Sequence, residues 1–486
     1  MSKSLKQFFI GGLSLSAVNI SGKIVNLLIL PIITIYLSPS DFGVIAIYML
    51  VISILGMLYN PGIISATLRL YYDNEADSDE NKILIGSSVL FLLILPVFLA
   101  ILSLFFGESL FNIFFKNFKF WPYGFFAVIA SITPQITRFW STLWVARQKT
   151  KRVAIISLIR ILLAISISLV LIVIFKMGAM GRILGLFIGN VVIFLIVVFD
   201  IFKFTKFKFS IKKLGTILLL GFPLVFSVFS YVIMNSSDKY MLEQMVSLRE
   251  LGIYDIAYTY SAVPLFILVG FSQMWQPIFF ENMKKGAYGN LLKLSGYYIV
   301  FLFLVSLSVI VFSNEVFNLF VDAKFINAIK IIPWIVVGIF FLGLSNLIAS
   351  IYSYQKRFKE IGAVALTAAI INIVLNYFFI KNYGIIGASI ASALTYILYF
   401  LILLLRIRKD FSQVFSYKFA GLTSGLLLII TTIFIYVNSN HLEFNALITF
   451  VKAIACLIVL LFIWFFGIID SKDKLVIKTF FKKRWF

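Results

Sequence analysis

The chemistry of this sequence centres on a lysine in the middle of a long apolar segment. Residues 11–37 can cross a bilayer, which takes about 20 helical residues, and Lys23 lies near their centre. Small or polar residues recur on one helical face of this segment: Gly12, Ser16, Asn19, Lys23 and Asn26. A cation at mid-membrane costs about 3 kcal/mol on insertion scales, so it persists only beside a partner or a wet cavity. We therefore predict that this face lines a cavity in which Lys23 binds an anion.

Two arginines in other apolar segments extend this pattern. Arg138 lies roughly 12 Å deep in its segment, on a face that also carries Ser131, Gln135 and Thr142. Arg160 lies in the next segment, from where a long side chain can still reach the surface. We predict cavity roles for both arginines, with Asn19, Asn26 and Gln135 as secondary contacts. The alternative for each cation is an interhelical hydrogen bond or ion pair, whereas Lys452 is predicted to extend to the outer surface.

The acidic residues lie near the ends of the apolar segments, not at the depth of these cations. Asp200 stands next to Lys203, which predicts a surface pair. Asp255, with Tyr254 and Tyr258, either contacts sugar or protons or is a hydrated carboxylate at the membrane surface. Cations without acids at matching depth make a net positive cavity, which selects anionic cargo.

Three other positions carry weaker signals. Gln273, Trp275 and Gln276 suit carbohydrate hydroxyls and ring faces, although an aromatic belt at the membrane surface explains Trp275 equally well. Arg69 lies at the inner end of its segment, where an interface anchor is the simpler interpretation and a ligand contact the alternative.

Composition defines a polytopic membrane protein. The 486 residues are 62% hydrophobic and 13% charged, against about 25% charged in soluble domains. Cys456 and His441 are the only residues of their types, so neither a disulfide framework nor a Cys/His metal site is expected, and no cofactor is predicted. We predict about fourteen helical spans, with short connections throughout. They lie near 10–37, 42–67, 83–106, 121–146, 153–175, 181–202, 214–236, 251–277, 292–313, 327–352, 361–380, 384–405, 418–438 and 445–468.

The basic residues predict orientation rather than nucleic-acid binding. If the N-terminus is cytoplasmic, 29 of the 42 lysines and arginines fall on cytoplasmic segments and 9 on outer ones. This bias places both termini in the cytoplasm. The net charge of +22 therefore reflects topology and contact with membrane lipids.

The two halves of the chain repeat one another. Segment 37–47 matches 246–256 at an offset of 209, 148–152 matches 355–359 at 207, and 181–185 matches 383–387 at 202. The offset spans six helices, so both halves keep the same membrane orientation. This predicts two six-helix lobes with a cavity between them, at 1–203 and 204–410. Residues 411–486 then add two helices and a basic cytoplasmic tail.

Several segments resemble a known family. LPIITIYLSPSDFGVIAIY, GAMGRILG and INIVLNYFFIKNYGIIGASIASALTYILY are similar to the Wzx-like polysaccharide or oligosaccharidyl-lipid flippases of the multidrug/oligosaccharidyl-lipid/polysaccharide (MOP) exporter superfamily. The resemblance implies a V-shaped, MATE-like pair of six-helix bundles in the bacterial cytoplasmic membrane. It implies export of an undecaprenyl-pyrophosphate-linked oligosaccharide, such as an O-antigen, capsule or exopolysaccharide unit. It also implies that Lys23, Arg138 and Arg160 contact the pyrophosphate and acidic sugars.

Two other functions remain open at this point. A multidrug exporter coupled to a cation gradient typically has an acid in its first helix, where this chain has Lys23. A membrane glycan polymerase or ligase needs a sizeable outer loop and clustered catalytic groups, which the sequence does not display. We therefore expect a monomeric transport unit that is not an enzyme, working beside the glycan polymerase machinery.

Overall fold

A computed structural model describes residues 22, 24–75, 78–205, 209–407, 413–438 and 452. In these ranges the regular elements are all helical. Eight helices are long and apolar enough to cross a membrane, or nine if the bent pair Leu248–Ser261 and Val263–Ser272 is one span. The predicted all-α polytopic fold is thus confirmed. The count of fourteen stays a prediction, because nearly half of the first predicted span and all of the last except residue 452 lie outside the described residues.

The chain packs as two compact units, Met1–Ile256 with Ala365–Ala391 and Ala257–Val364 with Ser392–Phe486. The helices that begin in the first unit are α1 (Leu30–Tyr36), α2 (Pro39–Tyr59), α3 (Ile63–Tyr71), α4 (Asp79–Phe114), α5 (Phe125–Ala130), α6 (Ile132–Ala146), α7 (Thr150–Leu169), α8 (Gly178–Phe202), α9 (Ile211–Met245) and α10 (Leu248–Ser261). Those that begin in the second unit are α11 (Val263–Lys284), α12 (Tyr288–Val311), α13 (Ser313–Phe320), α14 (Ile332–Tyr354), α15 (Phe358–Leu405) and α16 (Tyr417–Asn438). The lobe boundaries expected from the repeat stay a prediction.

Short-range signals set where several helices begin. The Ser38 hydroxyl accepts the Asp41 N–H at 3.1 Å, and the Asp41 carboxylate accepts the Ser38 N–H at 2.8 Å, which makes a capping box at the start of α2. Pro39 occupies the first turn, where a missing N–H costs nothing. The side chains of Ser78 and Ser210 cap α4 and α9 in the same way.

The internal repeat is visible as matched local geometry. Ser247 and Glu250 form a second capping box at the start of α10, with both hydrogen bonds at 3.3 Å. They lie 209 residues after Ser38 and Asp41, which form the first box. The sequence match between these segments therefore reflects the same helix start built twice.

The two repeated segments also pack against each other through paired glycines. A Cβ atom built on Gly43 would lie 2.0 Å from the carbonyl oxygen of Leu248, and one built on Gly252 would lie 1.8 Å from that of Pro39. Leu248 is the repeat equivalent of Pro39, so the two contacts are interchanged by the repeat. A local two-fold axis produces this reciprocity. The two backbones can approach so closely only because both positions are glycine.

Two of the predicted offsets are wrong in register. Left-handed residues mark equivalent turns at Gln148 (φ 60°) and Lys356 (φ 59°), and again at Gly178 (φ 54°) and Gly384 (φ 55°). These pairs give offsets of 208 and 206 instead of 207 and 202. Residue identity over a short segment does not fix the alignment of the two repeats. The left-handed turns show which positions are equivalent. Gly384 also bends α15 sharply between the two spans predicted at 361–380 and 384–405.

The core of the first unit contains a buried carboxylate, Asp200, that pairs with an exposed arginine. Trp140 and Trp144 stack with centroids 5.7 Å apart and are fully buried. The Trp140 indole N–H donates to Asp200 at 2.8 Å, and Arg152 donates to the other carboxylate oxygen at 2.9 Å. The surface pair of Asp200 with Lys203 expected from the sequence is therefore wrong. Asp200 points inward because its helix turns that face to the tryptophans.

Helix α4 carries a long lipid-type surface and ends in an aromatic cluster. Large apolar side chains are exposed along its second half, from Ile94 to Phe114. At its end, the ring of Phe111 packs against those of Phe115 and Phe120, with centroids 5.3 and 5.1 Å apart. The ring of Phe120 packs in turn against that of Trp121, with centroids 4.9 Å apart. We call these four phenylalanine and tryptophan side chains the aromatic cluster.

A buried carboxylate fixes the loop beside this cluster. Glu243, on α9, is fully buried. Its oxygens accept the backbone N–H groups of Lys116 at 3.2 Å, Asn117 at 2.5 Å and Phe118 at 3.1 Å. Three N–H donors compensate a charge that would otherwise be costly to bury.

Candidate functional site

The site predicted from the sequence is only partly within the described residues. Lys23 and Asn19 lie outside them, as does the side chain of Gln273. Their cavity roles stay predictions. Arg138, Arg160, Gln135, Asn26, Arg69 and Asp255 are described, and all six belong to the first unit.

Arg138 lies on the exposed side of α6, and that side is polar. The helix buries seven of its fifteen residues, and the partly exposed ones around the arginine are Pro134, Thr137, Ser141 and Thr142. The lipid-type surface of α4, in contrast, exposes isoleucine, leucine, valine and phenylalanine. Within the described residues Arg138 has no carboxylate at ion-pair distance. A polar face with an exposed arginine at membrane depth is typical of a water-filled cavity.

The predicted polar stripe on α6 is divided by packing. Ser131 is buried, and its hydroxyl lies 3.3 Å from the Tyr59 hydroxyl. Gln135 is buried too, and a Cβ on Gly56 would lie 2.5 Å from its amide nitrogen. The side chain of Gln135 fills the space above Gly56 on α2, and its predicted cavity role stays a prediction. The stripe begins to face outward only at Arg138.

Arg160 lies half-buried on α7, in more apolar surroundings. The exposed positions near it on the same helix are Ile155, Ile159 and Leu162. Within the described residues it forms no ion pair. Its helix therefore offers a less polar environment than that of Arg138, and snorkelling remains an alternative to a cavity role.

Sequence reasoning missed Arg182. It is absent from the predicted cavity residues and lies one turn inside the membrane-length helix α8. One of its terminal nitrogens donates to the Asn26 side-chain oxygen at 2.9 Å, and the other is buried without a partner among the described residues. Asn26 belongs to the same predicted stripe as Lys23. The signal available in the sequence was that GAMGR starts a helix instead of ending a loop, since glycine supplies the left-handed residue before it.

Asp255 does not stand alone at the membrane surface. The Lys239 ammonium contacts its carboxylate at 2.5 Å, and both side chains are largely buried. Next to this pair, Tyr254 donates to Asp238, which is buried as well. Asp255 is thus paired with a lysine from α9, and its predicted contact with sugar or protons stays a prediction.

The remaining charged positions are structural. Arg69 pairs with Asp73 at 2.5 Å, and both side chains are well exposed, which fits an interface anchor. In the second unit Lys452 pairs with Glu315 at 2.9 Å, and both side chains are largely buried. The prediction that Lys452 extends to the surface is therefore wrong. No group of three or more His, Cys, Asp or Glu side chains in the described ranges is arranged to hold a metal ion.

The architecture matches solved membrane transporters over most of the chain. The lipid II flippase MurJ, in an inward closed conformation, gives a TM-score of 0.70 at 19% identity, covering 94% of this chain and 98% of that one. An inward-facing multidrug resistance MATE family transporter of the MOP superfamily gives 0.63 at 15% identity, with coverages of 80% and 93%. A MATE transporter from Vibrio cholerae gives 0.52 at 16% identity, with coverages of 82% and 95%. At these identities the likeness establishes the fold, which is that of the MurJ and MATE transporters.

The sequence itself defines the family. The profile of the polysaccharide biosynthesis protein family matches residues 9–283, more than half of the chain. This chain therefore belongs to the polysaccharide biosynthesis protein family, which confirms the resemblance stated from its motifs. A search of curated protein sequences finds no significant match.

Proposed function

We propose that this protein is a flippase for an undecaprenyl-pyrophosphate-linked oligosaccharide, a unit of O-antigen, capsule or exopolysaccharide. It moves the cargo from the cytoplasmic to the outer leaflet by alternating access. Family membership and the fold support transport in polysaccharide synthesis. The observation that carries the charge of the cargo is Arg138, an exposed arginine on a polar face of a helix whose other side is buried. A pyrophosphate is the part of such a lipid that an arginine in a wet cavity binds best.

The protein acts as a monomer in the bacterial cytoplasmic membrane with both termini in the cytoplasm, and delivers its cargo to the glycan polymerase machinery. Lys23 and Arg160 assist Arg138, and Arg182 adds a cation beside Asn26. No bond in the cargo is made or broken, so the chain acts as a transporter and not as an enzyme.

The test is Arg138→Ala in proteoliposomes that carry the lipid-linked oligosaccharide. A hydrogen bond between charged groups contributes about 1.5–3 kcal/mol, so the flipping rate should fall by roughly 10- to 150-fold. Arg138→Lys keeps the positive charge and should retain part of the wild-type flipping rate. The matched control is Arg69→Ala, which breaks an exposed pair and should cost less than about twofold. Wild-type flipping by Arg138→Ala would refute the proposal.

A cation-coupled multidrug exporter is the second candidate, favoured by the likeness to MATE transporters. The same variant separates the two functions. An exporter of cationic drugs gains nothing from an arginine in its cavity. Drug export that survives Arg138→Ala, in a protein that does not flip the glycolipid, would support this candidate.

A further inference from the structure

A polar cavity lies within the second unit. It has a volume of about 210 Å³ and is bounded by α11, α12 and α14. Its lining includes Ser272, Trp275, Gln276, Tyr298, Asn346 and Ser350. On α11 and α14 these side chains follow one another at helical spacing, so each helix presents one polar face. About seven water molecules would fill this space.

The lining is rich in hydrogen-bonding groups, and its described residues include no charged side chain. The hydroxyls of Ser272 and Ser350 donate to carbonyls of their own helices, at 2.6 and 3.1 Å. Their oxygen lone pairs therefore remain as acceptors. Gln276 and Asn346 contribute amides, each of which both donates and accepts.

Two buried donors in the lining are unsatisfied. The indole N–H of Trp275 and the hydroxyl of Tyr298 are buried and have no hydrogen-bond partner among the described residues. Each residue is about 4% exposed. A buried donor without a partner costs about 1–3 kcal/mol.

An aromatic layer forms one wall of the cavity. The ring of Phe271 stacks on Tyr298 with centroids 3.8 Å apart, and on Trp275 with centroids 5.1 Å apart. The three rings present apolar surface, while their neighbours on α11 and α14 present amides and hydroxyls. A ligand that suits this cavity has an apolar side and a dense set of hydroxyls.

We propose that this cavity binds one uncharged sugar ring of the transported glycan, an inference that rests on the proposed function. A phosphate would require a cation in the lining, and a metal ion or ammonium group would require a carboxylate. A lipid chain would leave the amides and the two buried donors unsatisfied. The volume lies below the roughly 300–1,000 Å³ of pockets for larger ligands, so it accommodates one ring and not a whole oligosaccharide.

Thiol protection tests the binding. Ala349, a small apolar residue of the lining, becomes the reporter as Ala349→Cys in a Cys456→Ser background that has no other thiol. With maltotriose as an uncharged probe, maleimide labelling should slow by 1 + [L]/Kd, about fourfold at three times Kd. Inorganic pyrophosphate should leave the rate unchanged. The control reporter Tyr288→Cys, outside the cavity at the start of α12, should respond to neither probe.

A variant of the cavity links binding to transport. Tyr298→Phe removes a hydroxyl that has no hydrogen-bond partner in the described part of the chain, so it should not destabilise the fold. Combined with Asn346→Ala, it should abolish protection by maltotriose. Tyr297→Phe, on the adjacent residue outside the lining, is the matched control. Absence of protection by maltotriose, or equal protection by pyrophosphate, overturns the proposal.

The transport assay separates this proposal from the function on which it rests. Tyr298→Phe with Asn346→Ala should slow flipping of the glycan-bearing lipid and leave bare undecaprenyl pyrophosphate unaffected. Arg138→Ala should slow both. If the cavity variant flips the glycolipid at the wild-type rate, the sugar site is refuted and the flippase stands. If the wild-type protein flips neither lipid, the proposed function itself fails.

Discussion

Alanine at Gly43 or Gly252 should destabilise the protein strongly, because each glycine holds two helices at backbone contact. At Gly43 the new Cβ would lie 2.0 Å from the Leu248 carbonyl oxygen, against 3.4 Å for an ordinary contact. The helices must therefore separate by about 1.4 Å, and by slightly more for Gly252. The obstructing atoms belong to the backbone, so no side-chain rotation relieves the clash. Overpacking of this kind costs about 1–3 kcal/mol.

Other glycines of the same chain supply the controls. At Gly215 on α9 and Gly362 on α15, a Cβ would meet no atom within 4 Å. Alanine at an open helical position stabilises by about 0.5–1 kcal/mol relative to glycine. Gly43→Ala and Gly215→Ala should therefore differ by about 1.5–4 kcal/mol, the sum of both effects.

The measurement is the free energy of unfolding of the purified protein, from titration with sodium dodecyl sulfate in mixed micelles. The two alanines also test the reciprocal geometry. Once the first has separated the helices, the second meets less resistance, so the double variant should lose less than the sum by at least about 0.5 kcal/mol. Equal stability of Gly43→Ala and Gly215→Ala would refute the close contact, and strict additivity would refute the shared crossing.

Two further predictions concern buried charges, and the same titration measures both. Lys239→Met should destabilise by about 3–5 kcal/mol, because it leaves the Asp255 carboxylate buried without its cation, and adding Asp255→Leu should recover most of the loss. No recovery would contradict the pairing. Glu243→Gln should cost about 2–3 kcal/mol, because a neutral amide replaces the charged acceptor of three N–H groups. Glu250→Gln, which preserves its capping box, should cost less than about 0.5 kcal/mol, and equal losses for the two would contradict the assigned role of Glu243.

Sequence patterning located the helices well because each membrane helix is a long apolar run with explicit start signals. Pro39, Ser78 and Ser210 stand at helix starts in the structure, as proline and serine do generally. The repeat of 37–47 in 246–256 was also found at its correct offset. The offsets predicted from the two shorter matches differ by one and four residues from those of the left-handed turns. A segment of five residues contains too few identities to determine its alignment.

The site was predicted less completely because position along a helix gives depth but not the direction that a side chain faces. Gln135 and Arg138 share a face in projection, yet only Arg138 is exposed, because Gly56 lets α2 approach closely enough to cover Gln135. The partners of Asp255, Asp200 and Lys452 lie far away in sequence or on another helix. Such pairs depend on tertiary packing, which a count of charges along the chain does not contain.

The length of α4 makes the protein sensitive to the thickness of the bilayer. Its 36 residues make a rod of about 54 Å, nearly twice the roughly 30 Å of a hydrocarbon interior. The exposed apolar half alone, from Ile94 onward, is sufficient to cross that interior. The aromatic cluster at its far end then anchors the helix at the level of the lipid headgroups, since large aromatic rings favour the membrane–water interface. A thinner or thicker bilayer must therefore be met by tilting this rod, and every element attached to it moves with it.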